Sequence, residues 1–141
     1  MANYPEFQVA PMREELVQAG FAQLMSPEQV DQALTRTGTT LLVVNSVCGC
    51  AAAGARPGVI QALGKGLRFD HLVTVFAGME TEATQRARQY FEGAAPSSPQ
   101  AAIFRDGRLV HLMGRNAFLE RSPEAIAEEL AAAAGVAGIS A

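Results

Sequence analysis

Cys48 and Cys50 are the only two cysteines of the 141-residue chain, and a single glycine, Gly49, separates them. They stand in Val47-Cys48-Gly49-Cys50-Ala51, after an apolar run of strand character and before an alanine-rich run of helix character. A thiolate at the start of a helix faces the unpaired N–H groups of the first turn and the positive end of the helix dipole, so its pKa falls. The nucleophilic form is then present near neutral pH, and the chemistry indicated is thiol–disulfide exchange. Cys48, nearer the strand end and outside the first helical turn, is assigned as the attacking thiol, and Cys50 as the resolving one. Glycine suits the spacer because it reaches backbone angles that other residues reach only at a cost. A bridge closed over one residue is expected to be easily reduced, which makes the pair a comparatively oxidising couple.

Two alternatives stay open at this level. Close cysteines also serve as metal ligands or as small buried hydrophobes, and a metal-binding or thiol redox-sensing module is the alternative to an enzyme. A four-ligand zinc site would need His71, His111 or carboxylates to converge on the pair. Both histidines lie at or within predicted strands among apolar neighbours, the usual setting of a hydrogen-bonded structural histidine, and neither is given a catalytic role. Arg56, on the helix after the cysteines, and Arg115, in Met113-Gly114-Arg115, are the cations expected nearest the thiols. There either one attracts an anionic thiol or lowers the Cys48 pKa; the alternative is a solvated surface arginine. No GxSxG, P-loop, GxGxxG or HExxH pattern is present.

The chain is long enough for one domain, residues 1–141, with no need of a disulfide staple. Apolar residues make up 49% of it, but aromatics only 6% with no Trp, so the core is expected to consist of Ala, Val, Leu, Ile and a few Phe. The net charge of −3, with Lys and Arg scattered singly, offers no basic stripe for nucleic acid. No apolar run approaches the ~20 residues that span a bilayer, and the N-terminal stretch lacks a basic segment followed by an apolar one. A cytoplasmic location is expected, and a reducing compartment favours redox or metal chemistry over a structural bridge.

Several elements must position the thiols. Residues 11–19 open with Pro11, carry Met12, Leu16 and Ala19 at helical spacing and end before Gly20. Ser26-Pro27-Glu28-Gln29 is a capping box that starts a second helix through Val30, Ala33 and Leu34. Leu41 to Asn45 reads as a strand buried on both faces, Ala51 to about Leu63 as a helix kinked at Pro57-Gly58, and His71 to Ala77 as a second strand. One intervening helix makes these two strands a parallel βαβ unit. Glu80 to Glu92 is a helix with Ala83, Ala87, Tyr90 and Phe91 on one face. Ala101–Arg105 and Arg108–Leu112 form a hairpin across Asp106-Gly107, and Ser122-Pro123-Glu124 opens a last helix that buries Ile126, Leu130 and Ala134.

The order α, α, then β-α-β-α-β-β-α resembles the thioredoxin fold: an α/β domain with a central mixed sheet flanked by helices, here with an N-terminal helical extension. That fold places its redox cysteines where the first core strand meets its helix, and a cis-proline opens the third strand beside them. Pro99 occupies that place, so the Ser98–Pro99 bond is expected to be cis, with Ser98 offering backbone groups to an extended substrate. Only about 5–6% of X–Pro bonds are cis in general, so the expectation comes from the fold. The buried acid of thioredoxin's first core strand is missing; Asn45 is the only polar side chain there before Ser46.

More specifically, VAPMREELVQAG (residues 9–20), TTLLVVNSVCGCAAAGARP (39–57), DHLVTVFAG (70–78) and YFEGAAPSSP (90–99) closely resemble the bacilliredoxins over nearly the whole chain. The resemblance implies a cytosolic protein that removes bacillithiol from S-bacillithiolated proteins, with disulfide isomerase activity also associated with the family. Cys48 then corresponds to the attacking cysteine and Cys50 to the resolving one. It also implies bacillithiol as a co-substrate, no bound cofactor, and S-bacillithiolated client proteins and a bacillithiol reductase system as partners.

Overall fold

The computed structural model describes residues 4–139. Helix α1 (Glu6–Gln18), the short strand β1 (Ala22–Gln23) and helix α2 (Pro27–Leu34) precede the βα core. That core runs β2 (Thr39–Asn45), a π-helical turn (Ala51–Ala55), α3 (Arg56–Gly64), β3 (His71–Phe76), α4 (Thr81–Gln89), β4 (Gln100–Arg105), β5 (Arg108–Met113), a 3-10 turn (Arg115–Ala117) and α5 (Pro123–Val136). The sheet has the order β1-β3-β2-β4-β5, with β2 parallel to β3 and antiparallel to β4.

Strand β2 lies at the centre and separates two cores by strand alternation. Leu41 and Val43 point into a core with Val59, Ile103, Ile126 and Leu130, while Leu42 and Val44 point into one with Val30, Leu34, Val73 and Phe104. Burial on both faces explains the uninterrupted apolar run of this strand.

The expected elements form, with local differences. Helix α1 starts at Glu6, and Pro11 lies inside it. The carbonyl that Pro11 leaves without a donor belongs to Phe7, which is exposed to solvent, and buried Val9 holds the first turn in place. Strand β1 was invisible because two residues have no periodicity; it exists through pairing with Val73 and Thr74. In the capping box, Ser26 Oγ accepts from Gln29 N, but Gln29 Oε1 reaches Met25 N instead of Ser26. At the hairpin, Asp106 and Gly107 both have positive φ, 52° and 81°, as a type I′ turn demands.

The expected kink is a π-turn. The Arg56 N–H bonds back to the Ala51 carbonyl, five residues earlier, just before the proline that cannot donate. Gly54, inside the turn, and Gly58, after it, stand at helical spacing. A Cβ on Gly58 would stand 2.6 Å from Ile126 Cγ2, so Gly58 permits α3 to press against α5.

Candidate active site

The site is assembled where β2 leaves the sheet. Ser46 and Val47 carry the chain out, and Cys48 opens the helix: its carbonyl accepts from Ala51 N at 3.0 Å and from Ala52 N at 3.2 Å. Its Sγ accepts from Cys50 N at 3.4 Å, and its own N–H donates to Ser46 Oγ at 3.2 Å. Cys48 is therefore the capping residue, with sulfur in the place of a capping oxygen. Both thiols are free and partly exposed.

The Cys48 pKa is lowered, first by the Cys50 backbone N–H. Partial burial opposes this; the Cys50 side chain, the positive charge of Arg115 and the Ala51 N–H reinforce it. A hydrogen bond to the charged form and a nearby cation both favour thiolate. Arg115 Nη2 lies 3.9 Å from Cys48 Sγ. The Arg115 pKa is raised in return, by contact with Cys50 and by the charge of Cys48.

Arg115 is tied to the adjacent loop, since its backbone N–H donates to Ser97 Oγ at 3.3 Å. The Ser98–Pro99 peptide bond that follows is cis, as expected from sequence. Arg88 Nη2 donates to the Ser97 carbonyl at 2.6 Å and Arg88 Nε to Gln100 Oε1 at 3.3 Å, which brackets Ser98 and Pro99. Burial lowers the Arg88 pKa. An open cleft of about 460 Å³ runs from Cys48, Gly49 and Cys50 to Arg115, Phe118 and Leu119.

Two sequence expectations change here. Arg56 is buried and turned away from the cleft: Nη1 donates to Asn45 Oδ1 and to the Ser46 carbonyl, both at 2.9 Å, and Nε to Glu15 Oε2 at 2.8 Å. Three acceptors below the loop capture the guanidinium, so Arg115 is the cation beside the sulfur and Arg56 is not. Gly49 is exposed, its φ is not left-handed, and an added Cβ meets no atom within 4 Å, so the conformation of the reduced loop does not require glycine.

Sequence reasoning missed Ser46, Ser97, Arg88 and Glu15. Asn45 and Ser46 had one signal, polarity at the end of an apolar strand; the others meet the site only through tertiary contacts. His71 Nε2 is paired with the Thr37 carbonyl, whereas His111 Nε2 is buried without a partner among the described residues, in a hollow beneath α5. Among the described residues no three His, Cys, Asp or Glu side chains gather to hold a metal ion, and no helix is long and apolar enough to cross a membrane.

Solved structures share the fold. One described as having a thioredoxin fold superposes with a TM-score of 0.63 over 79% of this chain and 94% of that one, at 18% identity. Thioredoxin of Malassezia sympodialis does so with 0.53 over 82% and 90%, at 14% identity. In a thioredoxin fold, two free cysteines where β2 meets its helix, together with the relatives named next, make this a thiol oxidoreductase. The sequence matches the family described as disulphide isomerase over residues 4–135. It is 49% identical to a bacilliredoxin of Cytophaga hutchinsonii over 90% of this chain and 94% of that one, and 49% identical to one of Geobacillus kaustophilus over 88% and 86%. The chain belongs to the bacilliredoxin family.

Proposed function

We propose that this thiol oxidoreductase removes bacillithiol from S-bacillithiolated proteins in a reducing cytoplasm. The observation that carries the reading is the setting of Cys48 Sγ, which receives the Cys50 N–H and faces the Arg115 guanidinium beside an open cleft. A thiolate held this way is a nucleophile near neutral pH.

The Cys48 thiolate attacks the bacillithiol sulfur of the mixed disulfide. A new S–S bond joins Cys48 to bacillithiol as the old one breaks, and the client thiolate leaves and takes a proton from water. Then either free bacillithiol attacks the adduct, or Cys50, as a thiolate, attacks Cys48 Sγ and expels bacillithiol. The second route leaves a Cys48–Cys50 disulfide, whose two electrons come back from the bacillithiol reductase system. Arg115 stabilises Cys48 thiolate and attracts the anionic small thiol, and the Ser98–Pro99 backbone receives the extended client segment. The protein itself needs no cofactor.

General disulfide isomerisation is a second reading, favoured by the family description that residues 4–135 match. It would use the same Cys48 attack on a wrongly paired protein disulfide, without bacillithiol. The deciding experiment mixes reduced Cys50→Ala protein with a bacillithiolated client and weighs both by intact-mass spectrometry. Transfer of one bacillithiol to Cys48 supports the proposal; an unmodified Cys48 beside an untouched client moves the assignment to isomerisation.

A further inference from the structure

Arg56 has an unusual environment for an arginine. It is 2% exposed, and its nearest carboxylate, Glu15, comes from α1, 41 residues earlier in the chain. A buried guanidinium is costly unless its donors are satisfied, and this one is met by a carboxylate, an amide oxygen and a backbone carbonyl. Two of these acceptors belong to Asn45 and Ser46, the residues that lead into the cysteine turn. Asn45 Oδ1 also accepts from Ser46 N at 2.9 Å, and Asn45 Nδ2 donates to the Met12 carbonyl of α1 at 3.1 Å. The backbone of Ser46 is thus fixed by its amide and its carbonyl. Its hydroxyl is then placed to accept the Cys48 N–H.

We propose that Arg56 is a positioning residue for the nucleophile: anchored by Glu15, it clamps Asn45 and Ser46 so that Ser46 Oγ holds the Cys48 N–H and Cys48 Sγ stays under the Cys50 N–H. Helix α1 is by this route part of the redox machinery, through one ion pair and one backbone contact. Arg56 acts through the turn and does not touch the sulfur. The titratable and charged side chains that face Cys48 are those of Cys50 and Arg115, with Glu120 and Arg121 along the same cleft. None of these bonds to Arg56.

The inference rests on Cys48 being the attacking thiol, so the test reads that property first, in the Cys50→Ser parent. Rates of Cys48 alkylation are measured across pH in Cys50→Ser backgrounds that carry Arg56→Lys, Arg56→Met, Ser46→Ala or Glu15→Gln. Ser46→Ala removes only the last link and leaves the buried cation paired, so it reports even if Arg56→Met fails to fold. When the turn relaxes and the Cys50 N–H no longer holds the charged Cys48 sulfur, roughly a tenfold fall in alkylation rate at pH 7 is expected, for Ser46→Ala and Arg56→Met alike, with the profile midpoint moved upward. Arg56→Lys, which keeps the charge and some of the donors, is expected to recover part of the loss, and Glu15→Gln to fall between wild type and Arg56→Met. Folded variants of lower thermal stability whose alkylation profiles match the parent would overturn the positioning role. If instead the parent alkylates only at alkaline pH, the assignment of Cys48 as nucleophile fails, independently of Arg56.

Discussion

Arg115 Nη2 and Cys48 Sγ lie 3.9 Å apart across a sequence separation of 67 residues. The contact joins the turn after β5 to the turn after β2. Because Arg115 is exposed, its attraction for the thiolate acts through solvent and is sensitive to salt. Arg115→Gln should therefore raise the midpoint of Cys48 alkylation and slow the reaction at neutral pH by a few-fold. High salt should do the same to the unmodified protein and little to the variant. A variant as reactive and as salt-sensitive as the parent would remove Arg115 from the site.

The lowered Cys48 pKa is also a statement about stability. A thiol whose folded-state pKa lies below its unfolded value, about 8.5, stabilises the fold above that value and loses the contribution as pH falls through the folded pKa. Urea denaturation of the reduced protein should show stability rising with pH across that window. The rise should vanish in Cys48→Ser, where the group no longer titrates.

Gly58 and Gly64 both sit in α3, yet substitution should act on them in opposite directions. A Cβ on Gly58 meets Ile126 Cγ2 at 2.6 Å and the Pro123 carbonyl at 3.2 Å, whereas one on Gly64 meets nothing within 4 Å. Overpacking costs about 1–3 kcal/mol, so Gly58→Ala should lower the urea midpoint. Gly64→Ala should leave it unchanged or raise it, with a gain of up to about 1 kcal/mol from helix propensity.

Arg13 and Glu80 form a bidentate pair with side chains 10% and 9% exposed, and the Arg13 guanidinium lies over the Phe76 ring. Removing Glu80 takes away the buried partner and leaves Arg13 only the exposed Glu6 carboxylate and the Gln23 side-chain oxygen, so Glu80→Ala should cost up to about 3 kcal/mol. Glu6, which also bonds Arg13, has a side chain 61% exposed, and Glu6→Ala should cost less than about 1 kcal/mol. Equal losses in the two variants, measured by chemical denaturation, would contradict this ranking.

Gly49→Ala tests the redox turn directly. Since a Cβ there meets no neighbour and φ is not left-handed, stability of the reduced protein should change by no more than about 0.5 kcal/mol. Any loss of exchange activity in that variant then reports on a docked partner or on the oxidised state.

Much of the site was legible because it is local. Cys48, Gly49 and Cys50 adjoin a strand and a helix in sequence, so their position at a helix N-terminus follows from neighbours only a few residues away. The Asp106-Gly107 turn and the Ser26 and Ser122 caps were readable for the same reason. The cis bond before Pro99 was expected from the fold that this order of elements implies, and the structure has it.

Sequence alone determined the order of the elements apart from β1, the burial of β2 on both faces and the pair of thiols, because each depends on periodicity or on chemistry within a short segment. Only the tertiary structure decided which arginine serves the sulfur. Arg56 is six residues from Cys50 and Arg115 is 65, yet the nearer one turns inward to Glu15, Asn45 and Ser46 and the distant one reaches Cys48. A long flexible cation goes where acceptors lie unpaired, and the buried Asn45 and Ser46 oxygens and the more exposed Glu15 carboxylate are brought together by α1 and the sheet rather than by neighbours in the chain.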